Sequence, residues 1–201
     1  MLYNLGRQEF GKQANLGNLP TRDQVYGLLQ EWVKNEKLLL HMAQVGGLLK
    51  AWAREKGLSQ EDQWLWQASG LLHDADWDQW PDQHCNKIIT YGEEQHWDPR
   101  LLHAIASHGP RHFGVTPVSE LDKMIYALDE LSGFVHAVSL VRPEGYQGMA
   151  VKSVKKKMKE KSFAAQVDRE EIADGASTAG VALEDLIGFV ITHQPGITFQ
   201  P

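Results

Sequence analysis

The chain has 201 residues, of which 42% are hydrophobic and 23% charged, the usage of an ordinary globular protein rather than of a disordered or collagen-like one. A formal net charge of −6 gives no general attraction to nucleic acid or anionic lipid. No apolar run approaches the roughly 18–20 residues that span a bilayer, residues 1–20 lack the apolar stretch of a secretory signal, and the single Cys85 has no internal disulfide partner. These features lead us to expect a cytoplasmic protein of one compact domain.

In chain order the start and stop signals are nearly all helical. Thr21 precedes residues 22–34, where Val25, Leu28, Leu29, Trp32 and Val33 recur at helical spacing. Residues 35–56 form a second helix that stops at Gly57, with a stripe of Leu38, Met42, Val45, Leu48, Leu49 and Trp52. Ser59 followed by Asp62 resembles a capping box and opens a helix running through Leu72. Residues 77–81 read as an irregular break, and residues 84–91 as a short helix. Asp98-Pro99 is an N-cap followed by a first-turn proline, and that helix stops near Gly109. Pro117 and Ser119 introduce the longest helix, 120–141, closed by Pro143; helices over 152–163, 168–174 and 178–191 follow.

The expectation is an all-α bundle of about seven to nine helices without internal repeats. Residues 1–20 are expected as a flexible segment, 21–145 as the main helical domain, 146–193 as helices packed on it, and 194–201 as a tail.

Chemistry concentrates in the middle of the chain. Seven of the nine histidines fall between His73 and His136, and residues 61–98 hold nine acids against one base, Lys87. At 100° per residue His41 falls inside the apolar arc of its helix, where an imidazole needs a partner, in the bland case a backbone carbonyl. Leu71-Leu72 leads straight into His73-Asp74 at a helix end, where the dipole disfavours a carboxylate and a cation would remove the penalty. Asp129 sits at the edge of the apolar arc of the 120–141 helix, beside Ser132, Gly133 and His136. Imidazole and carboxylate on three separate helices is how all-α proteins build interior metal sites. Nitrogen and oxygen donors without thiolate suit Mn, Fe, Zn or Mg.

The order His41, His73-Asp74, Asp129 resembles the H…HD…D pattern of the HD superfamily of metal-dependent phosphohydrolases. The flanks Asn35-Glu36-Lys37-Leu38-Leu39-Leu40, Gly70-Leu71-Leu72 and Ala127-Leu128-Asp129-Glu130-Leu131-Ser132-Gly133 resemble those of a small bacterial branch of it. So does the stretch from Val151-Lys152-Ser153 to Val167-Asp168-Arg169-Glu170, so that the likeness runs over residues 35–172. The resemblance implies an HD-domain-like helical bundle, with 21–145 as its metal-binding part and one or two divalent ions as cofactor. His41, His73, Asp74 and Asp129 would hold one ion; the catalytic Asp74 would bridge to a second, held by His84 and His108.

The reaction it implies is cleavage of a phosphate ester, in a small phosphorylated metabolite or nucleotide, by metal-activated water. Arg142, Lys152, Lys155 and Lys156 are expected to grip the phosphate, and Asp76, Asp78 and Glu130 to orient ligands or protonate the leaving group. Trp77 or Trp80 could stack on a base, and His136 could line the cavity mouth. His96, His103, His112 and His193 are left at the surface or at outer positions; His103 and His108, about 140° apart on one helix, should not both point inward. Membrane and single-stranded nucleic-acid partners are not expected. Two alternatives stand beside the hydrolase: a non-catalytic metal- or nucleotide-binding regulatory module, and a di-iron oxygenase on the same scaffold.

Overall fold

The computed structural model describes residues 17–200. Among them are ten α-helices and no strand: α1 (Arg22–Trp32), α2 (Glu36–Glu55), α3 (Gln60–Leu72), α4 (Asn86–Glu94), α5 (Pro99–Ala106), α6 (Pro110–Phe113), α7 (Glu120–Leu140), α8 (Val151–Met158), α9 (Arg169–Ala179) and α10 (Leu183–His193). Six of the helices begin at a side-chain cap. Thr21 and Ser119 form capping boxes with Gln24 and Asp122, and Asn35, Ser59, Asp98 and Asp168 each accept backbone N–H groups of the first turn.

Helices α2, α3 and α7 frame the site. Helix α2 packs on both α3 and α7, with α5 against α3 and α7, and α9 along α7. Leu48, Leu49, Leu71, Leu72, Ile105, Met124, Ile125 and Phe134 are fully buried in one continuous core. The α2–α3 approach depends on two glycines: a Cβ at Gly70 would lie 2.5 Å from the Gly46 nitrogen, and one at Gly46 would lie 2.8 Å from the Gln67 carbonyl. Gly175 of α9 likewise sits where a Cβ would come within 2.8 Å of the Ala127 Cα on α7.

The differences from the expected elements have local causes. The helix expected over 98–109 ends at Ala106, and Pro110 starts the separate turn α6, which Gly114 closes at φ 71°. Helix α9 runs on to Ala179 because the residue that can turn left-handed, Gly180 at φ 67°, comes after it; α10 starts only at Leu183. The helix expected over 84–91 begins at Asn86 and continues to Glu94, and that expected over 152–163 ends at Met158.

Both ends of the described chain are docked. The Asn18 N–H donates to the His96 carbonyl (3.0 Å), the Asp98 N–H donates to the Asn18 carbonyl (3.1 Å), and the Trp64 indole N–H donates to the Pro20 carbonyl (2.7 Å). At the other end the buried Gln194 donates to the Ser132 carbonyl, and the Phe199 ring meets Tyr26 at 5.6 Å. The rest of the segments expected to be loose, residues 1–16 and 201, lies outside the described residues. No single described helix is long and apolar enough to cross a membrane.

Candidate metal centre

The six expected ligands converge from five parts of the chain. His41 comes from α2, His73 and Asp74 from the end of α3, Asp129 from α7, and His84 and His108 from the segments before α4 and after α5. They fall into two groups, His41–His73–Asp129 and Asp74–His84–His108, each with donor atoms close enough to surround one ion. Asp74 joins the groups. Its Oδ2 lies 3.4 Å from His73 Nε2 and 3.8 Å from His41 Nε2, while its Oδ1 lies 3.4 Å from His84 Nε2 and 3.7 Å from His108 Nε2. Asp129 Oδ1 closes the first group at 2.9 Å from His41 Nε2 and 3.3 Å from His73 Nε2.

The histidines are aimed by their other nitrogen. His73 Nδ1–H donates to the Gly70 carbonyl (2.8 Å), His108 Nδ1–H to the Ile105 carbonyl (2.6 Å), and His84 Nδ1–H to Asp76 (2.6 Å). In a neutral ring each Nε2 is then a bare lone pair facing carboxylate oxygens, the arrangement that a metal ligand's outer partners produce. His73 Nε2 is completely buried and has no hydrogen-bond partner. Asp76 in turn accepts the Ile88 N–H (3.0 Å), which ties His84 to α4.

The carboxylates favour positive charge at His73. Burial would lower the His73 pKa, yet the Asp74 and Asp129 carboxylates overcome this and hold it well above the ordinary value. Burial acts against ionisation of Asp74 and Asp129 as well, and His73 above all keeps both far below the usual carboxylate range. His108, desolvated and close to His73, is pulled down to about 4. Lone pairs and carboxylates from six side chains, with no thiolate, fit a divalent ion of borderline or hard character. Cys85 takes no part, since its Sγ contacts the Ile105 carbonyl at 3.5 Å.

The centre opens into a cavity of about 490 Å³, within the roughly 300–1,000 Å³ of small-molecule sites. His41, Asp74, His84, His108 and Asp129 line it together with Trp77, His112, Phe113, Tyr126, Glu130, Gln166 and Glu171. Trp77 is half exposed and meets His84 edge-on at 4.9 Å. Trp80 instead packs on Trp32 at 4.8 Å, away from the cavity lining. Burial, reinforced by the Asp129 charge, pushes the Glu130 carboxyl up to about 7.

Several expected residues are placed elsewhere. Arg142, Lys152, Lys155 and Lys156 do not line the cavity. Arg142 folds back to donate to the Gly145 (2.9 Å) and Gln147 (3.0 Å) carbonyls, Lys155 pairs with Glu184, and Lys152 and Lys156 are exposed. Asp78 accepts the Lys34 and Asn35 N–H groups at the start of α2, so of the three carboxylates singled out beside the motif only Glu130 reaches the cavity. His136 is bound up with Gln44 (3.2 Å) and Tyr146 (3.1 Å) and is not among the lining residues.

His103 is buried, and its Nδ1 lies 2.9 Å from Asp122. His103 and His108 both point inward, contrary to the helical-wheel expectation, because α5 ends at Ala106 and His108 follows the Ser107 turn. Glu171 was missed. It sits in the acidic first turn of α9, and its sequence signal is that of an ordinary helix start.

Comparison of the chain with protein-family models, curated proteins and solved structures finds no match.

Proposed function

We propose that this chain is a metal-dependent phosphohydrolase acting on a small phosphate ester. The observation that carries the reading is the division of six donors into two groups that share Asp74, one oxygen of its carboxylate facing each group. His41, His73 and Asp129 would hold one divalent ion, His84 and His108 the other, with Asp74 serving both. Ions bound there supply Lewis acidity, acidifying water and offsetting the charge of a phosphoryl group. The chain's own contribution is to hold the donors in place before substrate arrives: His73, His84 and His108 are locked by their Nδ1 hydrogen bonds, so little reorganisation accompanies reaction. The cavity gives a small ester access on one side while the α2–α3–α7 core seals the other.

The test is phosphate release from a panel of mono- and diesters after reconstitution with manganese, magnesium, iron or zinc. The expected result is ion-dependent release that His73→Ala and Asp74→Ala abolish. Ion binding without release from any ester under any of the four metals would contradict the reading; an iron- and oxygen-dependent product would turn it toward oxygenase chemistry.

A further inference from the structure

Beyond the six ligand candidates, the cavity wall carries two more carboxylates, Glu130 and Glu171, and no lysine or arginine among the described residues. The guanidinium groups near this wall in sequence are committed elsewhere. Arg111 faces Glu170 (3.3 Å) and Asp168 (3.7 Å), and Arg169 donates to the carbonyls of Phe163, Ala164 and Val167.

Glu171 is only 6% exposed, and its Oε1 accepts no hydrogen bond. The His112 ring lies 3.3 Å from that oxygen, but His112 is solvent-exposed and charged only if protonated. A buried carboxylate oxygen in that position is costly to leave without a cationic or N–H partner. Aromatic side chains share the lining: Trp77 is half exposed, and the buried Tyr126 donates its hydroxyl to Asp174 at 2.7 Å.

We propose that this cavity, lined by acidic and aromatic side chains, receives an ammonium group, so that the substrate is the phosphate ester of an amino alcohol. The ester half of the statement rests on the phosphohydrolase reading; the ammonium half rests on Glu171, Glu130 and the aromatic rings. Carboxylates and ring faces attract the same ligand chemistry, since an alkylammonium gains both an ion pair and a cation–π contact. A polyphosphate chain meets the opposite: once the metal positions are filled, further negative charge faces Glu130 and Glu171 with no lysine or arginine on the described lining to receive it.

Calorimetric titration of the full chain in the presence of manganese tests the ammonium half without turnover. Choline is compared with its uncharged isostere 3,3-dimethylbutan-1-ol, and ethanolamine with propan-1-ol. In at least one pair the cation is expected to bind about tenfold more tightly or better, and Glu171→Gln to remove the difference. Equal binding within both pairs by the wild-type protein overturns the proposal whether or not the variant folds. Discrimination that survives in folded Glu171→Gln overturns the assignment to Glu171. Phosphate release from phosphocholine, phosphoethanolamine and 3,3-dimethylbutyl phosphate separates the two readings. Discrimination in binding with no release from any of them removes the hydrolase, whereas release with no discrimination removes the ammonium site.

Discussion

Asp76 belongs to neither of the two candidate ligand groups, yet it fixes one of them. Its Oδ1 receives the His84 Nδ1–H at 2.6 Å while its Oδ2 receives the Ile88 N–H, so the imidazole cannot rotate without breaking a buried bond. Outer carboxylates of this kind are typically worth about 10–100-fold in metal affinity. Asp76→Asn, which keeps an acceptor for Ile88, is therefore expected to weaken the His84–His108 position by about that factor and to spare the His41–His73–Asp129 position. A two-site manganese titration reads this as one weakened and one unchanged step; two unchanged steps would contradict it.

Outside the candidate metal centre, the His103–Asp122 pair is buried. Burial of Asp122 opposes ionisation, but the His103 contact and the N–H groups of Ser119 and Val118 prevail and lower its carboxyl pKa. A depressed folded-state pKa gives stability that is present above the unfolded value of about 3.9 and is lost as pH falls through the folded one. The stability difference between wild-type protein and Asp122→Asn, measured by urea unfolding, should narrow as pH is lowered from about 5 through that range. A difference that stays constant or grows would show that Asp122 is not held ionised by its neighbours.

Among the helices, α2 and α3 decide the geometry of the centre, because His41 rides on one and His73-Asp74 ends the other. Their separation is set where Gly46 meets Gly70. An alanine methyl at Gly70 would lie 2.5 Å from the Gly46 nitrogen and 2.6 Å from its Cα, and backbone cannot move aside as a side chain can. Gly70→Ala is expected to destabilise the fold by about 1–3 kcal/mol and to weaken manganese binding, since spreading the helices parts His41 from His73. Gly27→Ala on α1 is the control: nothing lies within 4 Å of the added methyl, and relief of the glycine penalty should stabilise the helix by up to about 1 kcal/mol. Chemical denaturation of both variants separates crowding from helix propensity; equal effects would remove the glycine contact as the spacer.

How much of this was legible in the sequence differs by element. Caps and apolar stripes located α1, α2, α3 and α7 to within two residues, because Thr21, Asn35, Ser59 and Ser119 announce their helices locally. The candidate ligands, which the fold brings together, were legible because His41 and His73 are polar groups on otherwise apolar faces, and the ordered resemblance added His84 and His108. The far wall was not legible. Gln166 and Glu171 reach the cavity because α9 packs on α7 through Gly175 and Ala127, a tertiary contact with no local signature. The basic residues misled for the same reason: Arg142 and Lys155 follow α7 closely in sequence, but one satisfies its own turn and the other pairs with α10.

The whole molecule gathers two candidate ion sites around one carboxylate. The all-α core brings four separate stretches of chain to one carboxylate, Asp74, and opens beside it into a cavity lined also by Glu130, Glu171 and Trp77. If that is the purpose of the arrangement, removing Asp74 disturbs both ion positions, whereas removing His41 or His84 disturbs one. Anomalous scattering at the manganese edge, from crystals of the chain grown with manganese, measures this directly. Two peaks are expected, one among His41, His73 and Asp129 and one between His84 and His108, each in contact with a different oxygen of Asp74. The absence of any peak at these side chains, or peaks confined to other parts of the surface, would contradict it.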